Sequence, residues 1–316
     1  MIKCVTYCPS YARHWDHMVE QSRNGTFLLK RAYMDYHHDR FTDASLVFVD
    51  HKGHFAALLP ANIDVTTATV YSHQGLTYGG LIVSADIHTE QIGEAIDMAV
   101  NHYRKMGARK LIYKPIPYIY SKYPSQEDLY FLFRHGARLQ SRSLSQTIYL
   151  PQAIGLNTLR HRKLNKSLLA GNRVCKSTDV TQFWHILDHT LRTRHNVRPV
   201  HSIDELHLLM SRFPEQICLY ETHSPDDEVL AGTLVFDCGQ TIHTQYLAVS
   251  DRGREVGALD HVVSYLLTEV YALRQYFDFG VSTESGGKIL NPGLTFQKES
   301  FGGRGICYDT WELNLL

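Results

Sequence analysis

Several features that often reveal a protein's partners are missing from this sequence. Neither charge sign is in excess, because 32 Lys and Arg residues balance 32 Asp and Glu residues among the 316. A strong overall attraction to nucleic acid or to an anionic membrane is therefore excluded. No apolar run approaches the roughly 20 residues of a membrane helix, and the N-terminus lacks the apolar core of a signal peptide. We expect a cytoplasmic protein with no membrane span, attached to a membrane at most peripherally, and with no DNA partner.

Patterns typical of metal sites and disulfides are also missing. Cys4 and Cys8 are spaced C-x3-C, and the other four cysteines are scattered, which fits neither a zinc site nor a disulfide framework. Histidine is abundant, and His185 and His189 are four residues apart on a predicted helix. No HExxH pattern or acidic third ligand accompanies them. The sequence therefore predicts free thiols and no metal.

Strand and helix signals alternate along the whole chain, whose length suits two domains. Each half shows an antiparallel hairpin or meander, then a helix, then a further strand. This order predicts an α/β (α+β) fold of two related units, with mixed central sheets flanked by helices. The boundary is expected near Pro151, which gives domains 1–150 and 151–316.

The stretch 243–265 combines a strand, a polar turn and a long amphipathic helix, which we expect to begin near Glu255. The turn contains Arg254-x-x-Gly257. Backbone N–H groups and the helix dipole at such a turn favour an anion such as a pyrophosphate. An ordinary strand–turn–helix corner is the alternative interpretation.

This turn resembles motif A of the GNAT acyltransferases, [RQ]-x-x-G-x-[GA], whose loop holds the pyrophosphate of coenzyme A. Arg254 and Gly257 fit the motif, but its last position holds Leu259, with Ala258 one place early. The resemblance implies acyl-CoA, with acetyl-CoA as the expected form, as the donor substrate. It implies donor contacts from Gln245, Leu247, Val249, Arg254, Val256, Gly257 and Ala258.

The stretch 276–303 is similar to the C-terminal signature of the FemAB-like branch of the GNAT superfamily. The branch has "(Y/F)DFG" on a strand and then "GL…F(K)…FGG", and the resemblance is specific over about residues 215–316. It includes the peptidoglycan-bridge aminoacyltransferases and acyltransferase-like proteins of surface-polysaccharide synthesis, and it implies two tandem GNAT-like domains. The matching residues are Asp278, Phe279, Gly280, Gly293, Leu294, Lys298, Phe301, Gly302 and Gly303.

The same resemblance implies a mechanism without a covalent enzyme intermediate. The central strands of the second domain would splay apart, and an acceptor amine would attack the donor carbonyl directly. Lys298, expected on a glycine-rich loop, would lie near that carbonyl, and Glu284 is a candidate general base. Asp278, inside a strand between aromatics, needs a partner or a catalytic role. These three are the predicted catalytic residues.

Acceptor binding is predicted from polar groups in loops. The first half has no R-x-x-G turn before its helix, so we expect it to be degenerate for CoA and to form the acceptor side. The acceptor would be a small molecule or a lipid- or nucleotide-linked compound. The predicted substrate contacts are Ser72, His73, Gln74, Tyr78, Lys114, His195, Arg198, Ser282 and Asn291. Of these, His195 and Arg198 would bind a phosphate of either the acceptor or the donor.

A basic stretch over 156–176 leaves the donor open. It contains Arg160, Arg162, Lys163 and Lys166, then Arg173 and Lys176, with no acid among them. Such a stretch suits the phosphates of a nucleotide- or lipid-linked acceptor, or an RNA backbone. Three hypotheses follow: an acyl-CoA-dependent N-acyltransferase acting on an amino sugar or peptide of the cell envelope, a tRNA-dependent aminoacyltransferase, or a non-catalytic binding protein with a GNAT fold. The sequence does not choose between monomer and dimer.

Overall fold

The computed structural model describes residues 2–195 and 197–316, with only the backbone of residues 194 and 195. The chain divides into two compact units. The first comprises the residues up to Ser143 together with Glu284–Ile289 and Cys307–Leu316, and the second comprises Leu144–Thr283 and Leu290–Ile306. This division is less simple than one boundary near Pro151, because two later segments return to the first unit.

The first unit begins with short strands and helices. Their bounds are β1 Lys3–Thr6, α1 Ala12–Gln21, α2 Arg31–Met34, β2 Thr42–Asp43, β3 Leu46–Val49, β4 Phe55–Leu59, β5 Asn62–Asp64, β6 Thr69–Tyr71, β7 Ile82–Val83, α3 Thr89–Lys105, β8 Lys110–Tyr113 and α4 Glu127–Arg134. The predicted hairpin is β3 with β4, which pair antiparallel. Helix α3 ends before Gly107, whose φ of 81° suits a glycine C-cap.

The second unit contains longer strands. The remaining elements are β9 Arg138–Tyr149, α5 Thr158–Leu169, β10 Arg173–Ser177, α6 Thr181–His195, α7 Ile203–Arg212, β11 Ile217–His223, β12 Val229–Asp237, β13 Thr241–Val249, α8 Asp251–Val256, α9 Ala258–Tyr265, β14 Tyr276–Val281, β15 Thr283–Glu284, β16 Ile289–Leu290, α10 Pro292–Ser300 and β17 Arg304–Asn314. Strands β9 and β17 each run from one unit into the other.

Each unit has its own group of strands and its own core. In the first, strands follow the order β17-β8-β6-β5-β2 beside a second sheet β1-β3-β4-β7, and α3 packs into a core of Val, Leu, Ile and Ala side chains. In the second, the order is β10-β11-β12-β13-β14-β9. Helix α6 packs on β12 and β13, and α9 packs on β11, β12 and β13. The predicted mixed sheets with flanking helices are therefore confirmed.

The helix after β13 differs from its prediction. It begins at Asp251 rather than near Glu255, with Ser250 as its N-cap, and it breaks at Gly257. Gly257 adopts φ 74°, and a Cβ there would lie 2.2 Å from the carbonyl oxygen of Lys163 in α5. Because no side chain fits between these backbones, the glycine both ends α8 and allows α5 to approach.

The segment 292–300 was also predicted wrongly. It was expected as a loop, but it forms helix α10, which begins at Pro292 behind the N-cap Asn291. Proline at the first helical position is favoured because its missing N–H would have no helical partner. Lys298 therefore lies on a helix, which fixes its direction more firmly than a loop would.

Candidate functional site

The two central strands of the second unit separate halfway along their length. Strands β13 and β14 pair in parallel only from Thr241 opposite Tyr276 to His243 opposite Asp278. Beyond that point β14 has an irregularity between Asp278 and Val281, where Gly280 adopts φ 75°. Strand β13 carries a bulge of its own at this level against β12. The splayed strands implied by the resemblance are therefore present.

The carboxylate of Asp278 lies at the last paired position before the strands separate. It is fully buried and accepts hydrogen bonds from the hydroxyls of Ser145 (2.5 Å) and Thr147 (2.7 Å). His243 Nδ1 lies 2.8 Å from its second oxygen. Burial alone would raise the pKa of Asp278, but the hydrogen bond and charge of His243 and the two hydroxyls hold that pKa well below its usual range. The carboxylate is therefore ionised near neutral pH.

His243 is a candidate site residue that sequence reasoning missed. It is spaced 35 residues from Asp278, and only strand pairing brings the two together. The available signal was its polarity inside a strand, but Thr241, Thr244 and Gln245 of the same strand are also polar, so polarity alone did not select His243. An ionised carboxylate at Nδ1 requires a proton on that nitrogen, so the neutral ring carries its lone pair on Nε2.

The ammonium group of Lys298 lies at the end of β14. It donates to the carbonyl oxygens of Gly280 (2.7 Å) and Val281 (2.8 Å). The side chain is buried, and this burial lowers its pKa to about 8, although the nearby charge of Asp278 raises it. Near neutral pH the site therefore holds a cation with three N–H bonds, two of which are used by these carbonyls.

Aromatic residues of the signature hold α10 against β14. The rings of Phe279 and Phe301 stack with centroids 5.7 Å apart. The guanidinium of Arg160 covers Phe301 at 4.2 Å and donates to Asp260 and Ser300. The "DFG" and "FGG" parts of the sequence thus meet in one packed cluster that positions Lys298.

The Arg254 turn lies at the other end of β13. Here the Ser250 side chain caps the N–H of Gly253, and Arg254 approaches Asp251 at 3.7 Å. A cavity of about 610 Å³ adjoins the turn. Its lining includes two histidines and two threonines of α6 together with the turn, namely His185, Ile186, His189, Thr190, Thr193, Val249, Ser250, Asp251 and Arg254.

The other predicted donor residues differ in their surroundings. Gln245 is half-buried and occupies the bulge of β13, where it has no partner position on β12. Val249 and Ala258 are buried in the apolar core of the unit, and Leu247 and Val256 pack against that core. Their predicted contacts with a donor stay predictions.

The remaining predicted residues near the signature have structural partners. Ser282 is fully buried and donates to Gln146 (2.5 Å), and Asn291 accepts from the N–H of Leu294 as the cap of α10. Glu284 is exposed in β15. Nothing in these contacts tests the proposed roles in acceptor binding or catalysis.

In the first unit, the predicted acceptor residues form a tightly bonded loop. Ser72, His73 and Tyr78 are buried, and Gln74 exchanges hydrogen bonds with Asn62. Lys114 donates to the carbonyl oxygens of Gln74 (3.5 Å) and Leu76. Burial lowers the pKa of Lys114 to about 8.

Two further predicted substrate-binding residues, His195 and Arg198, lie at the end of α6 and just after it. Arg198 is exposed, and the side chain of His195 lies outside the described residues.

Among the residues that the structure describes, no cluster of His, Cys, Asp and Glu is arranged to hold a metal ion. Within the same residues, no helix combines the length and apolar character of a membrane span.

Comparisons with known proteins were made by sequence and by structure. No family model matches the sequence, and no curated protein matches it either. Among solved structures, FemX is similar with a TM-score of 0.72 and 12% identity, covering 99% of this chain and 97% of FemX. L-PGS from Bacillus licheniformis is similar with a TM-score of 0.63 and 12% identity, covering 96% of this chain and 91% of that one.

A tandem GNAT protein from the clavulanic acid biosynthesis pathway is also similar. Its TM-score is 0.50 and its identity 13%, and the alignment covers 100% of this chain and 99% of that protein. Identities this low show the fold alone. The chain therefore has the fold of these proteins, which confirms the two-domain GNAT-like fold implied by the C-terminal resemblance.

Proposed function

We propose that the protein is an N-acyltransferase that moves an acyl group, with acetyl as the proposed form, from acyl-CoA to an amine. The acceptor is proposed to be an amino sugar or a peptide of cell-envelope or surface-polysaccharide synthesis. The observation that carries the proposal is the separation of β13 and β14 with the buried Lys298 ammonium at the point of separation. Similarity to solved acyltransferase folds supports acyl transfer in general and leaves the substrates to experiment.

The donor is proposed to bind along the separated part of β13. An anion at the Arg254 turn would meet a guanidinium, two imidazoles of α6 and hydroxyls, in a cavity of about 610 Å³. Charged donors strengthen hydrogen bonds to phosphate oxygens. From that turn, β13 leads back to His243 and Asp278, so an extended donor along the strand brings its acyl end toward Lys298.

Lys298 is proposed to stabilise the oxyanion of the tetrahedral intermediate. Its ammonium is fixed by two backbone carbonyls and buried, so little reorganisation is needed when negative charge develops. The amine attacks the acyl carbon directly, and no enzyme nucleophile takes part.

The aminoacyl-tRNA donor has less support. Two cations of the basic stretch have internal roles, since Arg160 pairs with the buried Asp260 and Lys163 donates to the carbonyl of Arg254. Arg162 and Lys166 are exposed. On β10, Lys176 is exposed and Arg173 pairs with Asp227. These few separate cations are a small footprint for an RNA backbone.

Calorimetric titration with acetyl-CoA tests the donor. We expect saturable binding that Arg254→Glu weakens at least tenfold, since a charged hydrogen bond is worth about 1.5–3 kcal/mol. Arg252→Glu is the matched control, because Arg252 stands two positions before Arg254 in α8, is exposed and pairs with Glu228 instead. Gly257 is left unchanged, because a side chain there would collide with α5 and disturb the fold.

The outcomes separate the hypotheses. Absence of binding up to millimolar acetyl-CoA, an affinity of only about −4 kcal/mol, would exclude acetyl-CoA as donor and direct the test to aminoacyl-tRNA. Binding without transfer to glucosamine or to small peptides would favour a non-catalytic binding protein. Equal loss of affinity in both arginine variants would indicate a general charge effect rather than a site at Arg254.

A further inference from the structure

The pair formed by His243 and Asp278 has no role in the reaction described so far. It occupies the last paired position of β13 and β14, which is the point where the strands separate. We propose that His243, held by Asp278, is the group that accepts the proton of the attacking amine. This assignment rests on the proposed acyl transfer and adds a catalytic residue to it.

The burial and hydrogen bonds of Asp278 fix its orientation relative to His243. The carboxylate is fully buried, and Ser145 and Thr147 both donate to the oxygen that His243 does not contact. The other oxygen is thereby directed to His243 Nδ1. The imidazole consequently presents Nε2 as its basic nitrogen, as in acid–base sites where a carboxylate orients a histidine.

The imidazole ring of His243 lies beside Gly280. A Cβ on Gly280 would lie 3.3 Å from His243 Cε1 and 3.9 Å from Nε2, so the basic edge of the ring borders this residue. The carbonyl oxygen of the same residue accepts from the Lys298 ammonium at 2.7 Å. A base and a cation therefore flank one residue of β14, at the place where a substrate carbonyl would need both.

The side chain of His243 is also reachable. It is 13% exposed, whereas the Asp278 side chain has no exposure. If the pair served only to hold the sheet together, His243 would not need to keep part of its side chain exposed where the strands separate. A general base must come within about 3 Å of the proton it removes, directly or through one water, and an accessible edge permits this.

The proposed step balances as follows. The neutral amine nitrogen forms a bond to the acyl carbon, and the carbonyl electrons move to the oxygen beside Lys298. His243 Nε2 takes one proton from the positively charged nitrogen of this intermediate. The oxyanion then re-forms the carbonyl, the carbon–sulfur bond breaks, and the thiolate leaves with that bond's electrons. The proton held by His243 passes to the thiolate, which yields the amide and free CoA.

Substitution of His243 tests the assignment with acetyl-CoA as donor and glucosamine or glycylglycine as acceptor. We expect His243→Gln to lower kcat by about 10²- to 10⁴-fold, the usual contribution of general base catalysis. The Kd for acetyl-CoA is expected to change less than about threefold, because the phosphate contacts lie at the far end of β13. His243→Gly should regain turnover when imidazole is added, which a structural role would not produce.

Ser145→Ala is the matched control. It removes one hydrogen bond to Asp278 and leaves His243 in place, so we expect a loss of kcat of only a few-fold. If His243→Gln does not fold, the tautomer is read in the wild-type protein by ¹⁵N NMR of its histidines. A proton on Nδ1 and a basic Nε2 are expected for His243, and a proton fixed on Nε2 would overturn the assignment.

The two proposals fail in different ways. Binding and transfer of acetyl by both the wild type and His243→Gln at similar kcat would overturn the role of His243 alone. Absence of acetyl-CoA binding and of transfer in the wild type would overturn the acyl-CoA function, and the catalytic role of His243 would fall with it.

Discussion

Each unit of the protein contains a lysine, half-buried in the first unit and buried in the second, whose ammonium donates to two backbone carbonyls. Lys114 donates to Gln74 and Leu76, and Lys298 donates to Gly280 and Val281. Burial lowers the pKa of both to about 8. As isolated features the two lysines are nearly equivalent.

Their neighbours make them different. Lys298 lies close enough to Asp278 for the carboxylate to raise its pKa, and Asp278 also holds a histidine. Lys114 instead acts on His73, whose burial, with the charges of His37, Lys114 and Arg31, lowers its pKa to about 3. His73 is therefore a buried histidine beside a cation, whereas His243 is oriented by a buried carboxylate. The comparison teaches that a buried lysine indicates a site only through its partners.

Replacing each lysine by methionine gives the largest expected contrast. Lys298→Met should lower kcat for acyl transfer by about 10²- to 10³-fold, as when one oxyanion donor is removed. Lys114→Met should keep kcat within about threefold and lower the free energy of unfolding by about 1–3 kcal/mol, since the carbonyls of its loop lose a buried donor. Steady-state kinetics and urea unfolding measure the two effects.

A similar loss of kcat in both variants would contradict the distinction, because it would give the Lys114 loop a part in the reaction. Circular dichroism of both variants serves as the control for folding.

Alkaline pH should affect the stability contributed by both lysines in the same direction. The folded pKa of each is about 8 against 10.5 for an ordinary lysine, so the unfolded state binds more protons between these values. The free energy of unfolding should therefore rise as pH increases from about 8 to about 10.5. Each methionine variant should remove its own share of this rise, as measured by urea unfolding at several pH values.

A rise that neither variant reduces would mean that other groups dominate the titration. A fall over the same range in the wild type would contradict the lowered lysine pKa values directly.

The smallest expected effect separates backbone strain from contact with His243. Gly280 and Gly239 have φ 75° and 90°, but a Cβ on Gly239 would meet nothing within 4 Å. Alanine at either position should cost about 1–2 kcal/mol of stability, the price of a left-handed conformation. Only Gly280→Ala should also lower kcat, on the order of tenfold, because it displaces the His243 ring.

Equal kcat in the two glycine variants would argue against a catalytic position for that ring. Thermal unfolding of both glycine variants measures whether alanine lowers the stability equally at the two positions.

Much of the fold could be predicted from local patterns. Helices α3, α4, α6 and α7 follow from apolar periodicity and their stops, and the strands of the second-unit meander follow from apolar runs between turns. The break at Gly257 could not be predicted, because it depends on the approach of Lys163 in α5. Helix α10 was missed because its glycine and proline residues suggested a loop.

The candidate site was predicted in part. Asp278 and Lys298 were selected from the C-terminal signature, and the structure places both where β14 leaves β13. His243, Ser145 and Thr147 lie 35, 133 and 131 residues from Asp278 along the chain. No local pattern connects residues at such separations.

The sequence by itself determined the classes of element, the two-unit order and the signature that joins β14 to α10, because these depend on interactions between near neighbours in the chain. The tertiary structure alone decided which side chains surround the Asp278 carboxylate and where the central strands separate. Strand register and helix approach set those contacts, and both arise from packing between segments that are distant in sequence.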